Sequence, residues 1–367
     1  MRNPFLTLIK TTRRARKAQL ASVRAVETML APAKPKARPR RKSTPKISAA
    51  MLKTLAAKPR PKAAVPRTPS RPVRPAPGSF VDGEFASSCG KLAYKLYTPI
   101  GSARRALPLV VMLHGCGQTA DNFATGTGMN ALADEIGFLV LYPEQSKSAN
   151  INRCWNWHLA GSQKRGSGEP AKIAELTQAI AGLSKANRSR IYIAGISAGG
   201  AEAAIVAAAY PELFAAVGVH SGLPRGEVRT INTALSAMRN GSEGTPSASQ
   251  TRTHPIIVFH GDEDHVVNPL NVDGFVADAL ALAPGAVSSR IETGRSKGGR
   301  AFTCTVYRHK REKPMIETWI VHGSGHAWSG GSVFGRNTDP AGPDASREMI
   351  RFFLGFRNRT PATSLPA

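Results

Sequence analysis

The stretch whose reading decides the fold is Arg190-Ile-Tyr-Ile-Ala-Gly-Ile-Ser-Ala-Gly-Gly-Ala-Glu-Ala-Ala-Ile-Val-Ala-Ala-Ala-Tyr210. Ile191, Tyr192 and Ile193 are β-branched or aromatic and read as a buried strand, and the alanine-rich segment after Gly200 reads as a helix. Between them lies Gly195-Ile196-Ser197-Ala198-Gly199. A chain that turns this sharply from strand to helix strains the backbone at Ser197, and glycine at 195 and 199 lets the flanking elements come close. The Ser197 hydroxyl is then presented at a helix N-terminus, where developing negative charge is favoured. The spacing predicts a nucleophile on a tight turn.

Outward from this turn the pattern repeats. Residues 92–97 alternate as a strand does, and 107–113, 138–142, 215–219, 255–259 and 316–321 are short apolar runs of the kind buried in a sheet. Residues 122–136, 170–183 and 346–356 carry apolar side chains at helical spacing. Strands alternating with helices imply a mostly parallel central sheet covered by helices on both faces, an α/β fold. Residues 239–253 are polar and rich in Gly and Ser, which predicts a long loop, and 295–300 reads as a hairpin tip.

A serine hydroxyl is a poor nucleophile until a positioned base takes its proton, so the turn calls for a histidine and a carboxylate further along the chain. His260-Gly-Asp-Glu-Asp-His-Val-Val follows one predicted strand and His322-Gly-Ser-Gly-His-Ala-Trp another. His326, on a glycine-flanked loop, is the predicted base, and His322, nearer its strand, is predicted to be structural. Asp262, Glu263 and Asp264 compete for the orienting role; Asp264 is preferred, because a loop leaving a strand needs several residues to turn back over the sheet, and Asp262 stays open as the alternative. The tetrahedral oxyanion needs two N–H donors, usually worth about 3 kcal/mol each. They are expected from Ala198, just after the nucleophile, and from Cys116 in the loop His114-Gly-Cys-Gly-Gln, with His114 a structural hydrogen-bonding residue. The histidines and glycine-rich pieces match no metal-binding, phosphate-loop or dinucleotide motif, so no metal and no cofactor is expected.

Leu113-His-Gly-Cys-Gly-Gln, Asn152-Arg-Cys-Trp-Asn-Trp, Gly195-Ile-Ser-Ala-Gly-Gly, Tyr210-Pro-Glu-Leu-Phe-Ala-Ala-Val-Gly-Val-His-Ser-Gly, His260-Gly-Asp-Glu-Asp and Gly325-His-Ala-Trp together resemble the poly(3-hydroxybutyrate) depolymerase family of esterases, over about residues 78–358. The resemblance implies an α/β-hydrolase fold, related to feruloyl and acetylxylan esterases. It also implies a Ser197, Asp264, His326 triad acting on hydroxyalkanoate oligomers or polymer, or on short-chain esters. Trp155, Trp157 and Trp328 lie on loops near the expected triad, which suggests substrate contact through flat rings and indole N–H groups. Cys116 and Cys154 fall on loops expected near the site, so a disulfide between them is expected in an oxidising compartment and free thiols in a reducing one.

The chain has 367 residues, enough to bury a sizeable core, and a formal net charge of +26. Residues 1–77 hold 21 Lys or Arg against the single acid Glu27, leaving 29 bases and 23 acids elsewhere. A short amphipathic helix near the start, then a disordered Pro/Ala/Lys/Arg-rich tail, is expected over 1–77, with a catalytic domain over 78–358 and a disordered C-terminus over 359–367. The tail could contact an anionic surface such as a polymer granule, membrane or nucleic acid, or simply keep the domain soluble. No apolar run approaches the roughly 18 residues of a membrane span. No cleavable signal peptide is read at the N-terminus, and no appended substrate-binding domain is expected after the closing helix. The resembled family is largely extracellular, so both that compartment and a cytoplasmic or granule-associated one stay open.

Overall fold

The computed structural model describes residues 78–101, 106–225, 230–242, 254–281, 286–309 and 313–358. The basic segment 1–77, the C-terminus 359–367 and most of the 239–253 loop lie outside the described residues.

Leu109–Leu113 (β3) and Ile191–Ile196 (β5) are buried along their whole length. Leu109, Val111, Leu113, Ile191 and Ile193 pack into one core, and Val110, Met112, Tyr192, Ala194 and Ile196 into another. Strands that lose water on both faces belong at the centre of a parallel sheet sandwiched by helices. Around them lie β1 (Ser79–Ser87), β2 (Gly90–Thr98), β4 (Leu139–Glu144), β6 (Ala216–His220), β7 (Ile256–Gly261), β8 (Val287–Arg295), β9 (Ala301–His309) and β10 (Pro314–Val321). The order across the sheet is β1-β2-β4-β3-β5-β6-β7-β10-β9-β8. The strands from β4 to β10 in that order run parallel, and an antiparallel pair flanks them on each side.

The first core is closed by α3 (Gly168–Leu183), α4 (Ala198–Ala209), α5 (Ile231–Asn240) and α6 (Asn271–Ala281), and the second by α1 (Ala120–Thr127), α2 (Met129–Ile136) and α7 (Ala345–Leu354). Helices therefore cover both faces, as the alternating sequence pattern requires. The helix expected over 122–136 is two helices. Thr127 turns its hydroxyl back onto the Phe123 carbonyl at 2.9 Å, and Gly128, at φ 64°, ends α1 in a left-handed residue that then opens α2. The turn at 295–300 is the tip of the β8–β9 hairpin, closed by Ser296 N–H donating to Arg300 O at 2.8 Å.

The central strands deliver their following loops to one edge of the sheet. Gly115–Gln118 follows β3, Ser197 follows β5, His260–Val267 straddles the end of β7, and His322–Trp328 follows β10. In open α/β sheets the carboxyl ends of the strands are where ligands bind.

Candidate active site

Ser197 sits at φ 57°, ψ −124°, a strained conformation for a residue with a Cβ, costing of order 1–3 kcal/mol. Close packing holds it there. A Cβ on Gly195 would stand 2.3 Å from Gly199 O, and one on Gly199 would stand 2.2 Å from Leu113 O. Only glycine at both positions lets α4 start so close to β3 and β5. Ser197 N–H donates to His220 O at 2.9 Å, tying the turn to the end of β6. Ala198 is the first residue of α4, so its N–H has no acceptor within the helix.

The loop after β3 lies against the same turn. Gly115 N–H donates to Gln118 Oε1 at 2.8 Å, Gly117 N–H to Asn152 O at 2.7 Å, and Gln118 N–H to Gly115 O at 3.3 Å. The Cys116 N–H carries no such bond among the described residues. A disulfide joins Cys116 to Cys154, with a Cα–Cα separation of 4.3 Å, while Cys89 and Cys304 are free. His114 Nδ1–H donates to Gly115 O at 2.8 Å and its Nε2 accepts from Gln145 N–H at 3.1 Å. Full burial lowers its pKa from 6.5 to about 4, which keeps this ring neutral and structural.

Across the sheet, His326 Nδ1 meets Asp264 Oδ2 at 2.7 Å. Asp264 Oδ1 accepts from the N–H groups of Val266 and Val267, each at 2.9 Å. A fourth partner goes beyond the sequence reading: His260 Nε2 lies 2.9 Å from Val267 O and 3.3 Å from Asp264 Oδ2. A carbonyl only accepts, so that nitrogen carries the proton and shares it with the carboxylate. Burial works to raise the Asp264 pKa, but the hydrogen bonds from His260 and His326 outweigh it and hold the carboxyl well below its usual range. The carboxylate is ionised and saturated with donors, and a carboxylate at Nδ1 leaves Nε2 of His326 as the basic nitrogen. Among the described residues no hydrogen bond links Ser197 to His326; such bonds are often long before substrate binds.

Asp262, the alternative acid, pairs elsewhere. Its Oδ2 lies 2.8 Å from His322 Nδ1 and its Oδ1 accepts from Gly323 N–H at 2.7 Å. Together with Glu263 N–H donating to Ser324 O at 3.0 Å, this pins the loop bearing Asp264 to the loop bearing His326. His220 completes the surroundings. Its Nε2 accepts from Ser329 N–H at 2.9 Å and its ring stacks on Trp328 with centroids 5.1 Å apart. Burial first, then the neighbouring His260 and His326, lower its pKa from 6.5 to about 3.

The expectation for the three tryptophans is corrected. Trp155, Trp157 and Trp328 are buried, not turned toward solvent. Trp155 Nε1–H donates to His114 O at 3.0 Å and Trp328 Nε1–H to Ser346 Oγ at 3.1 Å, so neither indole N–H is left for an ester oxygen. Their loops fold inward, because a ring of this size gains more from burial than a loop position suggests.

Known proteins supply the context for this geometry. A chain 30% identical over 253 residues is the poly(3-hydroxyalkanoate) depolymerase C of Paucimonas lemoignei, the match covering 66% of this chain and 60% of that one. Feruloyl esterase B of Neurospora crassa is 33% identical over 131 residues, covering 35% of this chain and 44% of the relative. The chain thus spans less than two thirds of the length of these relatives. Among solved structures, an acetyl xylan esterase from Aspergillus awamori superposes with a TM-score of 0.59 at 19% identity, covering 76% of this chain and 99% of that one, a likeness of fold. The profile of the family described as Esterase PHB depolymerase matches residues 92–299, more than half of the sequence. The chain belongs to that esterase family.

Proposed function

We propose that this protein is a serine hydrolase of carboxylic esters working through an acyl-enzyme. The observation that carries the reading is the His326–Asp264 hydrogen bond of 2.7 Å, at the same edge of the sheet as the strained Ser197. Ser197 Oγ attacks the ester carbonyl while His326 Nε2 takes its proton, and Asp264 fixes the ring and stabilises the imidazolium. The oxyanion is met by the N–H groups of Ala198 and Cys116, the former aided by the start of α4. His326 returns the proton to the departing alkoxide. Water, deprotonated by the same nitrogen, then frees the acid.

The names of the relatives favour hydroxyalkanoate esters, soluble oligomers or polymer, as substrate. Acetylated or feruloylated carbohydrate is the competing class, favoured by the feruloyl and acetylxylan esterases among the matches. Hydrolysis rates on hydroxybutyrate oligomers, p-nitrophenyl esters, feruloyl esters and acetylated xylan, each beside Ser197→Ala, separate them. Preference for the carbohydrate esters would overturn the first reading, and activity retained in Ser197→Ala would overturn the mechanism.

The 21 basic residues of segment 1–77 serve, in this reading, to hold the enzyme on an anionic surface. Retention of the full chain on anionic vesicles or DNA should fall steeply with salt, and a chain starting at Pro77 should bind weakly yet hydrolyse a soluble ester normally. Equal retention of both would refute this role.

A further inference from the structure

A second hydroxyl–imidazole–carboxylate chain lies outside the site just described. His322 Nδ1 is 2.8 Å from Asp262 Oδ2, and His322 Nε2 is 2.9 Å from Thr303 Oγ1. An ionised carboxylate only accepts, so Nδ1 holds the proton and Nε2 offers a lone pair. Thr303 must then donate its hydroxyl proton to that nitrogen. This is the order of contacts that turns a hydroxyl into a nucleophile. Gly323 N–H fixes the other oxygen of Asp262 at 2.7 Å, and the His322 and Asp262 side chains are 42% and 37% exposed, so a reagent can reach them.

Of these three residues Asp262 lines a neighbouring groove. Thr303, Thr305 and Tyr307 alternate on one face of β9, and Ile320 and Thr318 lie opposite Thr303 and Thr305 on β10. That face and α6 enclose a groove of about 480 Å³, lined by Leu270, Val276, Thr305, Tyr307, Thr318 and Ile320, with Asp262 also in its wall. The volume suits a small acyl chain. The lining holds carboxylates and no lysine or arginine, which favours an uncharged ligand over an anion.

We propose that Thr303, His322 and Asp262 form a second acyl-accepting site, taking the acyl group of a small uncharged carboxylic ester that reaches the exposed Thr303 hydroxyl beside this groove. Thr303 Oγ bonds to the ester carbonyl carbon as its proton passes to His322 Nε2. The carbon–oxygen bond to the alcohol breaks, and the imidazolium protonates the departing alkoxide. The products are an O-acyl threonine and the free alcohol, with no other reactant. An alkyl ester such as O-acyl threonine is intrinsically less reactive than a p-nitrophenyl ester, so the acyl group accumulates on Thr303.

The site shares no side chain with Ser197, Asp264 and His326, so either can fail alone. The test uses the full chain carrying Ser197→Ala, incubated with p-nitrophenyl butyrate and followed by intact mass and peptide mapping. The expected result is a single butyryl group on the peptide containing Thr303. Adding Thr303→Val should remove it, and adding His322→Gln should slow its formation about a hundredfold. Thr303→Val in the chain that retains Ser197 should hydrolyse the same ester at the parent rate, which shows that the variant folds. Absence of butyrylation, labelling only elsewhere, or equal labelling in the Thr303→Val or His322→Gln chains would overturn the proposal.

Discussion

Two aspartate–histidine pairs stand on the same two loops, and they differ in what surrounds them. Asp264–His326 and Asp262–His322 each join Oδ2 to Nδ1, at 2.7 and 2.8 Å. Asp264 is buried, accepts from two backbone amides and a second histidine, and lies at the same edge of the sheet as the turn that carries Ser197. Asp262 is part-exposed and accepts from one backbone amide. An ion pair of good geometry is therefore not enough to mark the dyad that serves Ser197. Burial, saturation of the carboxylate and the strained Ser197 at the same edge of the sheet distinguish the first pair from the second.

The largest expected effect is at Ser197. Ser197→Ala should lower ester hydrolysis by about 10⁴-fold or more without changing the melting temperature, since nucleophile and base work as one unit. Residual turnover near the parent rate would move the main chemistry elsewhere. Next comes the contrast between the acids: Asp264→Asn should cost about 10⁴-fold in kcat through the wrong histidine tautomer, and Asp262→Asn no more than about tenfold. The reverse order would break the comparison outright.

A smaller effect is expected at His260, which positions Asp264. His260→Leu should lower kcat about tenfold with KM little changed, and His260→Gln, which retains an N–H donor, should restore part of it. Equal loss in both variants would show that the ring serves only as packing.

The smallest effect is on acid stability. His114 and His220 have pKa values lowered from 6.5 to about 4 and about 3, so they stay neutral in the fold while the unfolded chain protonates them. The unfolded state then binds more protons, and stability falls as pH drops from about 6.5 toward 4. Asp264, depressed below its ordinary value, adds stability that is present above that value and lost as pH falls below it. Melting temperatures measured from pH 7 to 3 should decline across both windows. A flat profile between pH 6.5 and 4 would mean that the two rings are not held neutral.

The central strands and the serine turn were legible because their signal is local: unbroken apolar runs, and glycines where a Cβ would collide with backbone. Among Asp262, Glu263 and Asp264, loop length ranks Asp264 first by the same local logic, and the structure pairs Asp264 with His326 and Asp262 with His322. His260 and His220 escaped notice as neighbours of Asp264, because register between β6, β7 and β10 brings them together. The outer strands hid for another reason. β8 is exposed over nearly its whole length and shows no alternation, and its Arg290, Glu292 and Arg295 read as loop residues although charges suit a sheet edge. The tryptophans misled because proximity in sequence to the expected triad says nothing of which way a large ring turns.

The close approach at Gly199 reaches beyond strain. A Cβ there would meet both Leu113 O and His114 O, and His114 runs straight into Gly115 and Cys116. The turn bearing Ser197 and the loop bearing Cys116 are therefore packed backbone to backbone, as one body. Asp264 and His326 are joined in the same way, through the clasp between their loops. His220 is the spacer between the two bodies, accepting Ser197 N–H on its carbonyl and Ser329 N–H on its ring. In the proposed mechanism the proton crosses the gap between these two bodies, and the temperature dependence of kcat is expected to report on that gap.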